Sequence, residues 1–156
     1  MEKIESNEDQ DRKWINKFLL DLNKVFALKK LNDNNFFNPY ERILDLGAGP
    51  LYTTNLLSTL NPEKNFIAAD YSEEIISVAK SIKMLRHIPY HQVDVLEDRE
   101  GGVEIPEADL TICVNFEYHF NDEHLSRIFI KLYLNSSDLL IITHTIGTPK
   151  IFQVNV

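Results

Sequence analysis

Along this chain the spacing of the apolar positions changes character near residue 40. Before it, Trp14, Phe18, Leu22, Val25 and Phe26 recur at three- and four-residue intervals, which predicts an amphipathic helix that can begin at Ser6, with Asp9 three residues on, and that ends near Leu31. Residues 32–40, rich in Asn and holding one Pro, read as a loop. After it, short apolar runs alternate with helical stretches. Strands are predicted at 42–47 (RILDLG), 65–70 (NFIAAD), 90–95 (YHQVDV), 109–115 (DLTICVN) and 138–145 (DLLIITHT). Helices are predicted at 51–60, stopped by Asn61-Pro62, at 73–86 with Ser72 as its cap, and at 122–134. The last residues, 151–156 (IFQVNV), alternate like one further strand, with no helix between them and Thr145.

Strands that are almost continuously apolar and alternate with helices imply a parallel sheet covered on both faces. The fold class expected is therefore α/β, a doubly wound, mostly parallel Rossmann-like sheet, preceded by an N-terminal helix and with its last strands short or missing. A chain of 156 residues is the size of one such domain, with 1–40 as leading helix and loop and 41–156 as the α/β core. Apolar runs stay well short of the roughly 18 residues that cross a bilayer. The opening stretch MEKIESNEDQDRK is charged with both signs and has no apolar core, so a cytoplasmic location without membrane contact is expected.

Charge narrows the partners. The net charge of −8 falls wholly in residues 41–156, with 17 acids against 9 bases, because residues 1–40 hold 7 of each. A surface that binds nucleic acid carries the opposite sign, so that partner is disfavoured. Glu97, Asp98, Glu100, Glu104, Glu107 and Asp109 read as a solvated acidic loop. Cys113, the single cysteine, sits between Ile112 and Val114 and reads as a buried thiol. The histidines show no short spacing with Cys or carboxylates of the kind zinc requires, and no metal is predicted.

In open parallel sheets, ligands bind beyond the carboxyl ends of the strands, so the residues that end each strand carry the functional signal. Asp45-Leu46-Gly47-Ala48-Gly49-Pro50 joins a strand to a helix, where glycines allow a tight turn and a close approach of ligand to backbone. The third glycine of the dinucleotide fingerprint is replaced by Tyr52, which disfavours a nicotinamide or flavin dinucleotide. Asp70 ends the second strand 21 residues after Gly49, where a carboxylate can accept the hydroxyls of a ribose, and Asp94 stands near the end of the third, where it can accept an adenine amino group. Asp45 could equally accept backbone hydrogen bonds in the turn, and Asp70 could cap the following helix.

In the order and spacing of ILDLGAGP, FIAADYS and HQVDVLED, residues 40–145 resemble the class I S-adenosylmethionine-dependent methyltransferases. The resemblance implies S-adenosyl-L-methionine as cofactor. Gly47 and Gly49 would lie against its methionine part, Asp45 would approach the amino-acid end through water, and Asp70 would take the ribose. Tyr71 would pack on the adenine, Asp94 would hold the adenine amino group with the Val95 backbone, and Asn115 would complete the cofactor side. Asp70 is expected to carry no packing duty. Leu51 stands where that family more often has a third glycine.

The fourth strand runs out into Asn115-Phe116-Glu117-Tyr118-His119-Phe120. Two readings of this segment stay open. In one, the phenylalanines are core, Tyr118 is a wall and His119 is held by a backbone carbonyl. In the other, Glu117 or His119 is a general base toward a substrate amine or hydroxyl, with Tyr118 positioning it. The function expected is methyl transfer to a small-molecule acceptor. The alternatives are a non-catalytic cofactor-binding or regulatory partner subunit, and an enzyme that cleaves the cofactor or, as in the nicotianamine-synthase group whose Gly-x-Gly-Pro-Leu turn is similar, transfers its aminocarboxypropyl group. A second copy or a partner chain completing the sheet is a further expectation.

Overall fold

The computed structural model describes residues 23–96, 104–116, 119–145 and 148–155. A helix covers 23–33 (α1). The elements that follow are β1 (Arg42–Leu46), α2 (Tyr52–Leu60), β2 (Asn65–Asp70), α3 (Glu73–Ser81), a single 3₁₀ turn Lys83–Leu85, β3 (Tyr90–Gln92), β4 (Ala108–Val114), α4 (Asp122–Asn135), β5 (Ser136–Thr145) and β6 (Thr148–Asn155). They form one six-stranded sheet in the order β3-β2-β1-β4-β5-β6. The first five strands are parallel and β6 returns antiparallel along β5, from Asp138↔Asn155 to Thr145↔Thr148. Strand order reverses between β1 and β4, and a crevice opens there beyond the strand ends.

Alternation along the strands divides the core. Ile43, Leu110, Ile112, Leu140 and Ile142 pack with Leu28 of α1, Phe37, Tyr40 and Leu57 of α2. Leu44, Leu46, Cys113 and Leu139, one residue out of step, pack with Ile128 and Leu132 of α4. Burial of each such side chain stabilises by about 1.5–3 kcal/mol, and a slip of one residue in any strand would exchange the two faces. The thiol of Cys113 is buried in the second of these layers.

Several boundaries differ from those read along the chain. Trp14, Phe18 and Leu22 lie outside the described residues. Val25 and Phe26, read as part of the apolar stripe, are 41% and 64% exposed, while Leu28 is 1% exposed. Phe26 stands about 200° around the helix from Leu28, so one sheet cannot bury both. Helix α3 stops at Ser81 because Ile82 is extended (φ −78°, ψ 111°), which turns Leu85 and Ile88 into the cluster around Ile76 and Ala79. Strand β3 is short because, after Val93 donates to the Asp70 carbonyl at 2.9 Å, Asp94 bends the chain by accepting the Leu96 amide at 2.9 Å. Asp109 is no loop acid. Its Oδ2 accepts the Glu41 and Arg42 amides at 3.0 and 2.8 Å, and these bonds hold its pKa below the ordinary carboxylate value.

Candidate functional site

Among the described residues, every group of interest lies at the carboxyl end of the sheet, around the turn from β1 to α2. Gly47 and Gly49 have φ of +74° and +52°. A Cβ on Gly47 would stand 2.7 Å from Phe116 Cδ2, so this glycine permits the fourth-strand loop to close over the first, whereas nothing lies within 4 Å of a Cβ on Gly49. The backbone of Gly49 is open to the crevice. Leu51, at the place of the family's third glycine, is also left-handed, at φ +64°. It is 1% exposed, and its burial offsets a strain of about 1–2 kcal/mol.

The turn is held from β2 and β3. Asp70 Oδ2 accepts the Gly49 amide and its Oδ1 accepts the Ser72 amide, both at 2.9 Å. The carboxylate, expected to carry no packing duty, therefore ties two loops together through hydrogen bonds. Ser72 Oγ in turn caps α3 by accepting the Ile75 amide at 3.3 Å. From the start of β3 the Tyr90 hydroxyl donates to the Gly49 carbonyl at 2.5 Å, a contact 41 residues apart in sequence that no local pattern announces.

Between these loops lies a cavity of about 600 Å³. Its walls bring together Gly47, Gly49, Asp70, Tyr71, Asp94, Val95, Asn115 and His119 with the apolar Ile75, Val93, Leu96, Phe116 and Phe120. Tyr71 is 70% exposed, and its carbonyl accepts Gln92 Nε2 at 3.1 Å. Asn115 leaves β4 at φ +54°, a conformation Asn tolerates better than most residues, and its amide donates to the Ile142 carbonyl at 2.9 Å. Its Oδ1 is buried without a hydrogen-bond partner among the described residues. Phe116 and Phe120 pack with centroids 4.7 Å apart, and exposed His119 stands edge-on to Phe120 at 6.4 Å. Glu117 and Tyr118 lie outside the described residues. Ile75 and Leu96 were missed in the sequence: Ile75 reads as one apolar position of α3, and Leu96 follows the acid of HQVDVLED without any chemistry of its own.

Asp45 stands apart from that group. It lines a second cavity, of about 540 Å³, which shares Gly47 and Gly49 with the first and is bounded by Lys24, Val25 and Leu28 of α1 and by Tyr52 and Thr53 of α2. Thr54 Oγ1 donates to Asp45 Oδ2 at 2.6 Å, joining the end of β1 to the first turn of α2. Burial pushes the Asp45 pKa up to about 6, the nearby Asp70 carboxylate adds to the rise, and the Thr54 hydrogen bond opposes it.

No family model matches the chain. Over 54 residues, 35% of this chain, it is 35% identical to the malonyl-[acyl-carrier protein] O-methyltransferase of Bacillus cereus. The chain spans one fifth (20%) of the length of the curated relatives it matches. Among solved structures, an O-methyltransferase family protein from Burkholderia thailandensis superposes with a TM-score of 0.65 at 15% identity, covering 90% of this chain and 43% of that one. Human N-acetylserotonin methyltransferase, solved in complex with S-adenosylmethionine, superposes with a TM-score of 0.59 at 22% identity, covering 68% of this chain and 30% of that one. Five parallel strands in this order, the glycine turn at the switch point and these likenesses agree: the chain has the Rossmann-like fold of the class I S-adenosylmethionine-dependent methyltransferases.

Proposed function

We propose that the chain binds S-adenosylmethionine in the larger cavity and transfers its methyl group to a small-molecule acceptor. The observation that carries this reading is the pairing of an open glycine backbone with a carboxylate. Gly49 has nothing within 4 Å of its missing side chain, and Asp70 is bonded to that same residue at 2.9 Å on the wall of a 600 Å³ cavity. Each Asp70 oxygen accepts one backbone amide and keeps a further acceptor site for a ribose hydroxyl. Asp94 has one oxygen committed to Leu96 and the other available to an amino group, beside the apolar Tyr71, Ile75 and Val95 that suit a purine ring. The buried, unpartnered Asn115 Oδ1 fits the same reading, since a ligand donor would satisfy it.

When bound, the cofactor supplies a sulfonium methyl group already activated toward displacement. The chain then has to orient the acceptor, exclude water and hold its proton. In this proposal Glu117 or His119 accepts that proton, Tyr118 orients the acceptor, and Phe116 and Phe120 keep the cavity dry. An excess of acids in residues 41–156 favours a neutral or cationic acceptor over a polyanion. The proposal assigns this work to residues 41–156, with residues 1–40 leading into them, and sets it in the cytoplasm. It leaves the outer edge of β6 to a second copy or a partner chain. Calorimetric titration with S-adenosylhomocysteine, followed by transfer of labelled methyl from S-adenosylmethionine to a panel of small amines, phenols and carboxylic acids, tests it. Saturable one-site binding and one labelled acceptor class are expected, and absence of binding by folded protein overturns it.

A further inference from the structure

We propose that Tyr90 is a positioning residue for the ligand turn, its hydroxyl ordering the Gly49 peptide before a ligand arrives. The inference rests on the cofactor reading above and adds a residue that lines neither cavity. The Leu51 amide donates to the Ala48 carbonyl at 3.0 Å, closing a tight turn whose central carbonyl, that of Gly49, has no partner inside the turn. Beyond its chain neighbours nothing lies within 4 Å of a Cβ on Gly49, so side-chain packing does not hold this residue. Two hydrogen bonds do. Asp70 accepts the N–H of the Ala48–Gly49 peptide at 2.9 Å and Tyr90 donates to the C=O of the Gly49–Pro50 peptide at 2.5 Å.

The Tyr90 ring is fixed in place, being 7% exposed and packed with Ala48, Leu51, Ala68, Ile76, Ala79, Leu85 and Ile88. Its hydroxyl therefore reaches Gly49 as a rigid donor. Burial and the nearby Asp70 and Asp45 carboxylates push the phenol's pKa up, which keeps the proton on the oxygen that donates it. Without that donor the glycine peptide regains the freedom its residue type allows, and a ligand has to order it on binding.

The test compares Tyr90→Phe, which keeps the packed ring, with Phe66→Leu, a core change at the far end of β2. For Tyr90→Phe we expect the Kd for S-adenosylhomocysteine to rise about five- to tenfold, the loss of one hydrogen bond. The Gly49 amide should exchange with solvent about tenfold faster while the Leu44 amide does not change. Phe66→Leu should lower the Tm and leave the Kd alone, which separates positioning from general destabilisation. Combined with Asp70→Asn, the effect of Tyr90→Phe on Kd should be less than additive, because both hold the peptides that flank one residue, Gly49. Unchanged Kd and unchanged Gly49 exchange in Tyr90→Phe overturn the role of Tyr90 alone. Wild-type protein that fails to bind S-adenosylhomocysteine overturns the cofactor reading and this inference with it.

Discussion

The carboxylate of Asp70 accepts the amide of Gly49 at 2.9 Å, so the residue that ends β2 holds the turn that ends β1. One side chain thus serves the scaffold and the proposed site together, and its loss should register in both. Asp70→Ala leaves two backbone amides without their charged acceptor. We expect stability to fall by about 2–3 kcal/mol and the Kd for S-adenosylhomocysteine to rise roughly ten- to a hundredfold. Urea unfolding and calorimetric titration of the same preparation measure the two losses, and full retention of both would remove Asp70 from the site.

The two glycines should differ in how they fail. Gly47→Ala meets Phe116 Cδ2 at 2.7 Å in addition to a φ of +74°, whereas Gly49→Ala meets no atom and suffers only its φ of +52°. Gly47→Ala should therefore destabilise by about 2–3 kcal/mol or more and Gly49→Ala by about 1 kcal/mol. Gly49→Val, β-branched at this left-handed position, should lose more stability than Gly49→Ala and lose ligand binding as well. Urea midpoints and titration settle the order.

At Leu51 the usual ranking of small residues should invert. The site is buried and left-handed at φ +64°, so Leu51→Ala loses packing and keeps the strain while Leu51→Gly loses packing and releases it. Glycine should be the more stable variant by about 1 kcal/mol, as read from urea midpoints.

Asp45 makes a pH signature. Its folded-state pKa of about 6 lies above the ordinary value of 3.8, so folding favours the protonated form. The contribution is fully present below pH 3.8 and is lost as pH rises through 6, a change of roughly 3 kcal/mol for that difference of about 2 units. Asp45→Asn, which keeps an acceptor for Thr54, should gain stability relative to wild type between pH 4 and 7 by about that amount. Equal pH profiles for the two proteins would show that Asp45 titrates normally.

His119 lines the cavity but bonds none of the turn that frames it. His119→Ala should leave the Kd for S-adenosylhomocysteine within about twofold and lower kcat about a hundredfold with whichever acceptor the labelled panel reveals. An unchanged kcat would assign the rate to alignment alone.

Much of the fold was legible along the chain because its signals are local. The period of apolar residues named every strand, the bounds of β2 were read to the residue, and Ser72 announced the start of α3. The acids and glycines that end the strands were legible for the same reason, since a parallel sheet brings all its strand ends to one edge. Chain composition and order thus determined the class of fold and the sheet edge and residue types of the candidate site. Tertiary structure decided what sequence distance hides. It set Asp45 in a separate cavity from Asp70, although the register puts both on one face of the sheet, because Thr54 of α2 closes over the Asp45 carboxylate. It made Asp70 a brace as well as an acceptor, and it brought Tyr90 onto Gly49 across 41 residues. It turned Phe26 outward, because one sheet can bury only one side of a helix. Such relationships depend on which elements lie side by side, and side-by-side packing is settled by the whole core at once.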